Sequence, residues 1–68
     1  MSIDPSAIIH ESSKIHKDAV ISAYAMIGAN VEIGAGTVVD SHAVIDGPTK
    51  IGKNNHIYSF ASLKTFPV

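Results

Sequence analysis

Every sixth residue of this chain is aliphatic: Ile3, Ile9, Ile15, Ile21, Ile27, Ile33, Val39, Ile45, Ile51, Ile57 and Leu63. Eleven consecutive hexads starting at Ile3 fill residues 3–68 without an insertion, and ten of their eleven first positions are β-branched. An α-helix needs apolar residues at spacings of three and four, which a strict six does not supply. Polar and turn-forming residues recur in the same frame. The fourth position holds Ser6, Ser12, Asp18, Asn30, Gly36, Pro48 and Asn54, seven turn formers in eleven hexads. Each hexad therefore reads as a short β segment followed by a bend, with its β-branched residue turned into a pleated, buried surface.

The fifth position is the second inward one: Ala7, Ser13, Ala19, Ala25, Val31, Thr37, Ala43, Thr49, Asn55, Ala61 and Pro67. Eight of these are Ala, Ser or Thr, small enough for the place where a coil wall turns a corner. Confinement of small residues to one phase is what a repeat architecture produces. With three hexads per turn, residues 18 apart lie above one another. Ala7, Ala25, Ala43 and Ala61 then form one column, and Ser6, Tyr24, His42 and Phe60 form another. Neither column was used to set the frame, so both support an 18-residue coil. The predicted fold is all-β: a parallel β-helix of hexapeptide repeats, three hexads per coil, about 3.7 coils over residues 1–68.

At roughly 4.8 Å per coil such a prism is about 18 Å tall, and a body this small is marginal alone. Solenoid coils are stabilised by their neighbours and need capping at the ends. Leu63 to Val68 offers no cap, only an apolar face and unpaired strand edges. The expectation is therefore that residues 1–68 are the N-terminal part of a longer β-helix.

Composition removes several function classes. Five basic and six acidic residues give a net charge of −1, with no basic stripe for nucleic acid and no polybasic membrane patch. There is no Cys, hence no disulfide framework or thiolate chemistry. The N-terminus lacks a secretory pattern, and no apolar stretch approaches a membrane span, so a cytoplasmic protein is expected.

Four histidines raise a metal site as one candidate. In the hexad frame His10 and His16 fall on different sides of the prism, His42 sits at a fourth position, and His56 ends the ninth hexad, on the side of His16. No two share a column, whereas zinc needs three or four converging ligands, so no metal ligands are assigned. His42, between Tyr24 and Phe60, is the candidate general base. The competing reading, which carries more weight, is an outward stacked column. Asp40 and Asp46 lie near His42 in sequence, but nothing aims either at it. Gly28, Gly34 and Gly52 share the second position, in Ile-Gly pairs, and lack the Lys and helix of a phosphate loop. They read as structural. Asn55, at an inward position, is expected to be a buried amide bonded to backbone at the corner.

The Ile-Gly hexads resemble the hexapeptide-repeat acyltransferase superfamily. The run GPTKIGKNNHIYSFAS, within SHAVIDGPTKIGKNNHIYSFAS (residues 41–62), and the opening IDPSAIIHESSKI are far more specific. They resemble the N-terminal coils of the acyl-carrier-protein–UDP-N-acetylglucosamine O-acyltransferases of lipid A biosynthesis, and the resemblance covers nearly the whole chain to Ser62. It implies a left-handed coil and a homotrimer with active sites between neighbouring coils. It also implies transfer of a 3-hydroxyacyl chain from acyl carrier protein to the 3-hydroxyl of UDP-N-acetylglucosamine. In that family a histidine is general base, a backbone amide stabilises the oxyanion, and no metal or cofactor is used. This sequence departs from the family after Ser62. Leu63-Lys64-Thr65-Phe66-Pro67-Val68 stands where the family has Ile-Gly and then a substrate-contacting Gln-Asp-Leu-Lys loop. None of His10, His16, His42 and His56 matches the catalytic histidine, which the family carries in later coils. No catalytic, cofactor-binding or metal-binding residue is therefore assigned, and the 68 residues are expected to be inactive alone. The alternatives are a non-catalytic, self-associating β-helix module and another hexapeptide-repeat transferase.

Overall fold

The computed structural model describes residues 2–63. They form eleven short strands: β1 (Ser2–Ile3), β2 (Ile8–Ile9), β3 (Lys14–Ile15), β4 (Val20–Ile21), β5 (Met26–Ile27), β6 (Val31–Ile33), β7 (Val38–Val39), β8 (Val44–Ile45), β9 (Thr49–Ile51), β10 (His56–Ile57) and β11 (Ser62–Leu63). They wind into three parallel sheets. The first face is β1-β4-β7-β10, the second β2-β5-β8-β11 and the third β3-β6-β9. Every paired residue is 18 positions from its partner, as in Ile3 with Ile21, Ile27 with Ile45 and Ile33 with Ile51. Three hexads make one turn of a solenoid, as the columns of the sequence predict.

Each strand joins the sixth residue of one hexad to the first of the next, with the first-position side chain inward. Ile21, Ile27, Ile33, Val39 and Ile45 are buried, together with the fifth-position residues Ala19, Ala25, Val31, Thr37 and Ala43. Ile3 and Leu63, at the two ends of the described prism, are half exposed because coils pack on only one side of them. The rest of the Leu63–Val68 stretch lies outside the described residues. Asn55 is a correction. It belongs to the last described coil and is exposed rather than buried, and its backbone N–H bonds the Thr37 hydroxyl.

Adjacent coils are joined by backbone bonds such as Val20 N–H to the Thr37 carbonyl and Met26 N–H to the Ala43 carbonyl, both 2.9 Å. The corners are β-turns. The fifth-position N–H returns to the second-position carbonyl, as in Ala7 to Asp4, Ala19 to His16 and Ala61 to Tyr58. Tyr24, Asn30, Gly36, His42, Asn54 and Phe60, all at fourth positions, have φ between 55° and 73°. That left-handed conformation is what a type II turn requires at its third residue. Two inward hydroxyls tie coils together at such corners. Ser13 donates to the Gly28 carbonyl at 2.6 Å and accepts from Val31 N–H at 3.0 Å. Thr37 repeats the pattern with Gly52 and Asn55 at 2.6 and 3.2 Å.

Of the Ile-Gly glycines, Gly28 and Gly34 sit at a close approach between coils, whereas Gly52 has room for a Cβ. A Cβ on Gly34 would lie 2.7 Å from the carbonyl carbon and oxygen of Gly52. A Cβ on Gly47 would collide with the Ala29 carbonyl.

Candidate functional site

The strand period decides what each face presents. Side chains alternate, so the residue before each inward aliphatic points outward. The first face presents Ser2, Val20, Val38 and His56, the second Ile8, Met26, Val44 and Ser62, and the third Lys14, Glu32 and Lys50. The second face is thus largely apolar, the first mixed and the third charged. All four described lysines lie on the third face or the turn that follows it: Lys14, Lys17, Lys50 and Lys53. Asp18 and Glu32 share that side, while Asp4, Glu11, Asp40 and Asp46 lie elsewhere.

The third face carries a shallow groove of about 340 Å³, lined by Lys14, His16, Glu32, Gly34, Lys50 and Lys53 among others. The second carries a smaller one of about 240 Å³ between Ile8, His10, Met26, Val44 and Asp46. The Ile-Gly positions leave the floor of the first groove bare, because Gly34 and Gly52 put no side chain there.

The four histidines have separate roles. His10 Nδ1 accepts the N–H of Ser12 at 3.1 Å and meets the Ser12 hydroxyl at 2.8 Å. His16 Nδ1 accepts the N–H of Asp18 at 3.0 Å, and its ring is 3.9 Å from the Asp18 carboxylate. Asp4 does the same in the first hexad, taking the N–H and hydroxyl of Ser6 at 2.9 and 2.7 Å. Those two bonds hold the Asp4 carboxyl below the usual carboxylate range, the backbone one contributing most. These second-position side chains close turns. Asx-type bonding to the N–H two residues on was visible in principle at Asp4, but a histidine ring in that role has no sequence signal.

His42 stacks between Tyr24 and Phe60, with ring centroids 5.3 and 5.2 Å apart and planes 28° and 19° from parallel. This is the outward column predicted by the 18-residue period. Asp40 is not its partner. The Asp40 carboxylate instead meets Nε2 of His56 at 2.8 Å, and the His56 ring stacks on Tyr58 at 4.1 Å. His56 also moves. It opens β10 on the first face, paired with Val38, rather than sharing the side of His16. The hexad frame cut each strand in two, and so misplaced a sixth-position residue by one face.

Among the described residues no three His, Asp or Glu side chains converge as metal ligands would. The Asp40–His56 pair is the one histidine–carboxylate contact between coils among the described residues, linking the third coil to the fourth. What these coils offer is a set of surfaces: an aromatic edge, a mixed face, an apolar grooved face and a charged grooved face. No helix among the described residues is long and apolar enough to cross a membrane.

Comparison with known proteins supplies the family. Residues 12–47, more than half of the chain, match the bacterial transferase hexapeptide (six repeats) family model. No curated protein sequence matches significantly. Among solved structures, LpxA from Acinetobacter baumannii is 49% identical over 90% of this chain, with a TM-score of 0.87. UDP-N-acetylglucosamine O-acyltransferase from Moraxella catarrhalis is 49% identical over 93%, with a TM-score of 0.90. UDP-N-acetylglucosamine acyltransferase from Francisella novicida is 42% identical over 97%, with a TM-score of 0.91. In each case this chain spans 24% of the other protein's length. An 18-residue parallel coil, buried Ile and Val columns and a matching six-repeat model together place the chain in the bacterial transferase hexapeptide family.

Proposed function

We propose that this chain forms the N-terminal coils of a UDP-N-acetylglucosamine 3-O-acyltransferase, the enzyme that opens lipid A biosynthesis. The reaction moves a 3-hydroxyacyl group from the thioester of acyl carrier protein to the sugar 3-hydroxyl. The observation that carries this reading is 49% identity maintained through 90–93% of the chain against two such enzymes, with TM-scores of 0.87–0.90. That is far more than the hexad pattern alone would impose, since the pattern fixes only the inward positions.

Residues 1–68 are one β-helical segment of a longer left-handed coil, assembled as a homotrimer in the cytoplasm. His42 is sandwiched between two rings, and neither it nor His56, paired with Asp40, matches the family's catalytic histidine. These coils supply scaffold, and the general base and substrate loop belong to coils beyond them. The chain alone is inactive.

The test is a chimera. Residues 1–62 replace the corresponding coils of a full-length acyltransferase, and acyl transfer to UDP-N-acetylglucosamine is measured beside the isolated 68-residue chain. Turnover by the chimera within tenfold of the parent, and none by the isolated chain, is expected. A folded, trimeric chimera without activity would overturn the assignment of these coils, and turnover by the isolated chain would overturn its scaffold role.

A further inference from the structure

The four described lysines form a frame on one side of the prism. Lys14 of β3 and Lys50 of β9 point outward, each in register with Glu32 of β6, which stands between them. At roughly 4.8 Å per coil they are about 10 Å apart along the axis. Lys17 and Lys53 share one hexad position in the turns after β3 and β9, and so repeat that separation. The groove floored by Gly34 and Gly52 crosses this frame and is lined from three successive coils, with Lys14 and His16 at one end and Lys50 and Lys53 at the other. Its charges are segregated. Four lysines against Glu32 and Asp18 leave this side at +2, while Asp4, Glu11, Asp40 and Asp46 give the rest of the described chain −4 with His neutral. They are also unpaired. Among the described residues the two ion pairs both use histidines, so no lysine is held by a carboxylate, and Glu32 pairs with neither of its register neighbours.

This pattern narrows the partner. A nucleic-acid backbone is a continuous line of phosphates, which Glu32 and Asp18 oppose. The chain has no arginine, and Tyr24, Tyr58 and Phe60, on which bases could stack, lie on other sides. An anionic bilayer takes up cationic surfaces that also carry apolar side chains to insert, whereas the outward strand residues here are Lys14, Glu32 and Lys50. A helix laid along the coil axis fits the row of alternating charge. Its residues i, i+4 and i+7 recur on one side with a pitch of about 5.4 Å, close to the coil height of about 4.8 Å. Over two coils the mismatch is about 1 Å, within the reach of a lysine side chain.

We propose that the third face docks an acidic helix of a partner protein, with carboxylates at i and i+7 on Lys14 and Lys50 and a basic or neutral residue at i+4 over Glu32. Lys17 and Lys53 flank the helix, and the bare floor at Gly34 and Gly52 receives its side chains. Exposed charge pairs add little affinity each and act more on orientation and encounter rate. The contact is therefore transient and salt-sensitive. It stands on the charges and spacing of this face and is independent of the acyl-transfer reading.

The probe is a fluorescein-labelled, alanine-based helical peptide with Glu at i and i+7 and Lys at i+4. Its anisotropy is followed at low salt on titration with the full chain, with circular dichroism as the folding control, and again with the chimera described above, in which the coils have their continuation. Saturable binding is expected, weakened about fivefold by Lys14→Gln with Lys50→Gln and kept by Lys14→Arg with Lys50→Arg. Glu32→Lys should reverse the preference, so that a peptide with Glu at i+4 binds more tightly than the one with Lys. No binding up to millimolar protein, equal binding by the Lys→Gln variant or of a scrambled peptide of the same composition, or an unchanged preference in Glu32→Lys overturns the proposal. Tighter binding of the chain to phosphatidylglycerol vesicles than to the peptide also overturns it, by assigning the face to a lipid surface.

Discussion

Replacing the second-position glycines by alanine one at a time should produce a graded loss of stability that follows the distance between coils. Gly28, Gly34 and Gly52 occupy the same phase of the hexad, and none of the three has a positive φ. The common effect of Gly→Ala at such sites is a gain of about 0.4–1 kcal/mol, from a less disordered unfolded chain. The individual effect is steric. At Gly52 the nearest atom to a new Cβ is the Asn55 side-chain nitrogen at 3.7 Å, an ordinary contact. At Gly28 it is the Ile45 carbonyl oxygen at 3.3 Å, which must give by a few tenths of an ångström. At Gly34 two backbone atoms of Gly52 stand at 2.7 Å, and neither can move without shifting a coil. Overpacking of that kind costs about 1–3 kcal/mol. Gly52→Ala should therefore be neutral or stabilising by about 0.5 kcal/mol, Gly28→Ala within about 0.5 kcal/mol of zero, and Gly34→Ala destabilising by about 1–2 kcal/mol. Urea unfolding followed by far-ultraviolet circular dichroism reads these as shifts of the midpoint at constant slope. Equal costs at the three positions, or a Gly52→Ala that costs more than Gly34→Ala, would refute the close approach of coils.

Thr37→Val keeps the shape of a fully buried side chain but removes its bonds to Gly52 and Asn55, and should cost about 1–2 kcal/mol by the same unfolding assay. Ser13→Ala, which removes the equivalent pair at a half-buried site, should cost less, about 0.5–1 kcal/mol. Ile33→Asp places an unpaired carboxylate in the core and should abolish the β spectrum altogether, since such a charge costs several kcal/mol. Asp4 titrates lower folded than unfolded, so its stabilising contribution is present above the ordinary carboxylate range and is lost as pH falls through the folded value. Asp4→Asn should accordingly narrow the gap between neutral and acid stability, measured as melting temperature from pH 7 down to pH 2.

The architecture was legible because the repeat is strict. Ile21, Ile27, Ile33, Val39 and Ile45 are buried for the reason their spacing implies, and His42 stacks on Tyr24 and Phe60 because 18 residues separate each pair. What escaped depends on where a strand begins within the hexad. The frame assigned His56 to the end of one side, whereas strands run through the frame boundary, so His56 opens the next face and reaches Asp40. A pairing between residues 16 apart is invisible to a six-residue count. Asn55 was misread for another reason. Its phase is inward, but burial also needs a coil on each side, and only one lies beside it among the described residues. The left-handed backbone at Tyr24, His42 and Phe60 contradicts local propensity, and tertiary winding imposes it.

The fold rests on three hexads per turn, and a disulfide scan tests that count most directly. The chain is free of Cys, so pairs introduced on outward positions report proximity alone. Glu32 and Lys50 are register partners on the third face, 18 residues apart. A Cys pair there should close an intramolecular disulfide on mild oxidation at micromolar concentration, because paired strands bring Cα atoms within the required 4.4–6.8 Å. Pairs at Glu32 and Val44, or Glu32 and His56, sit on different faces and should stay reduced. Closure of the 12-residue or 24-residue pair in place of Glu32–Lys50 would mean two or four hexads per turn, and would contradict the fold.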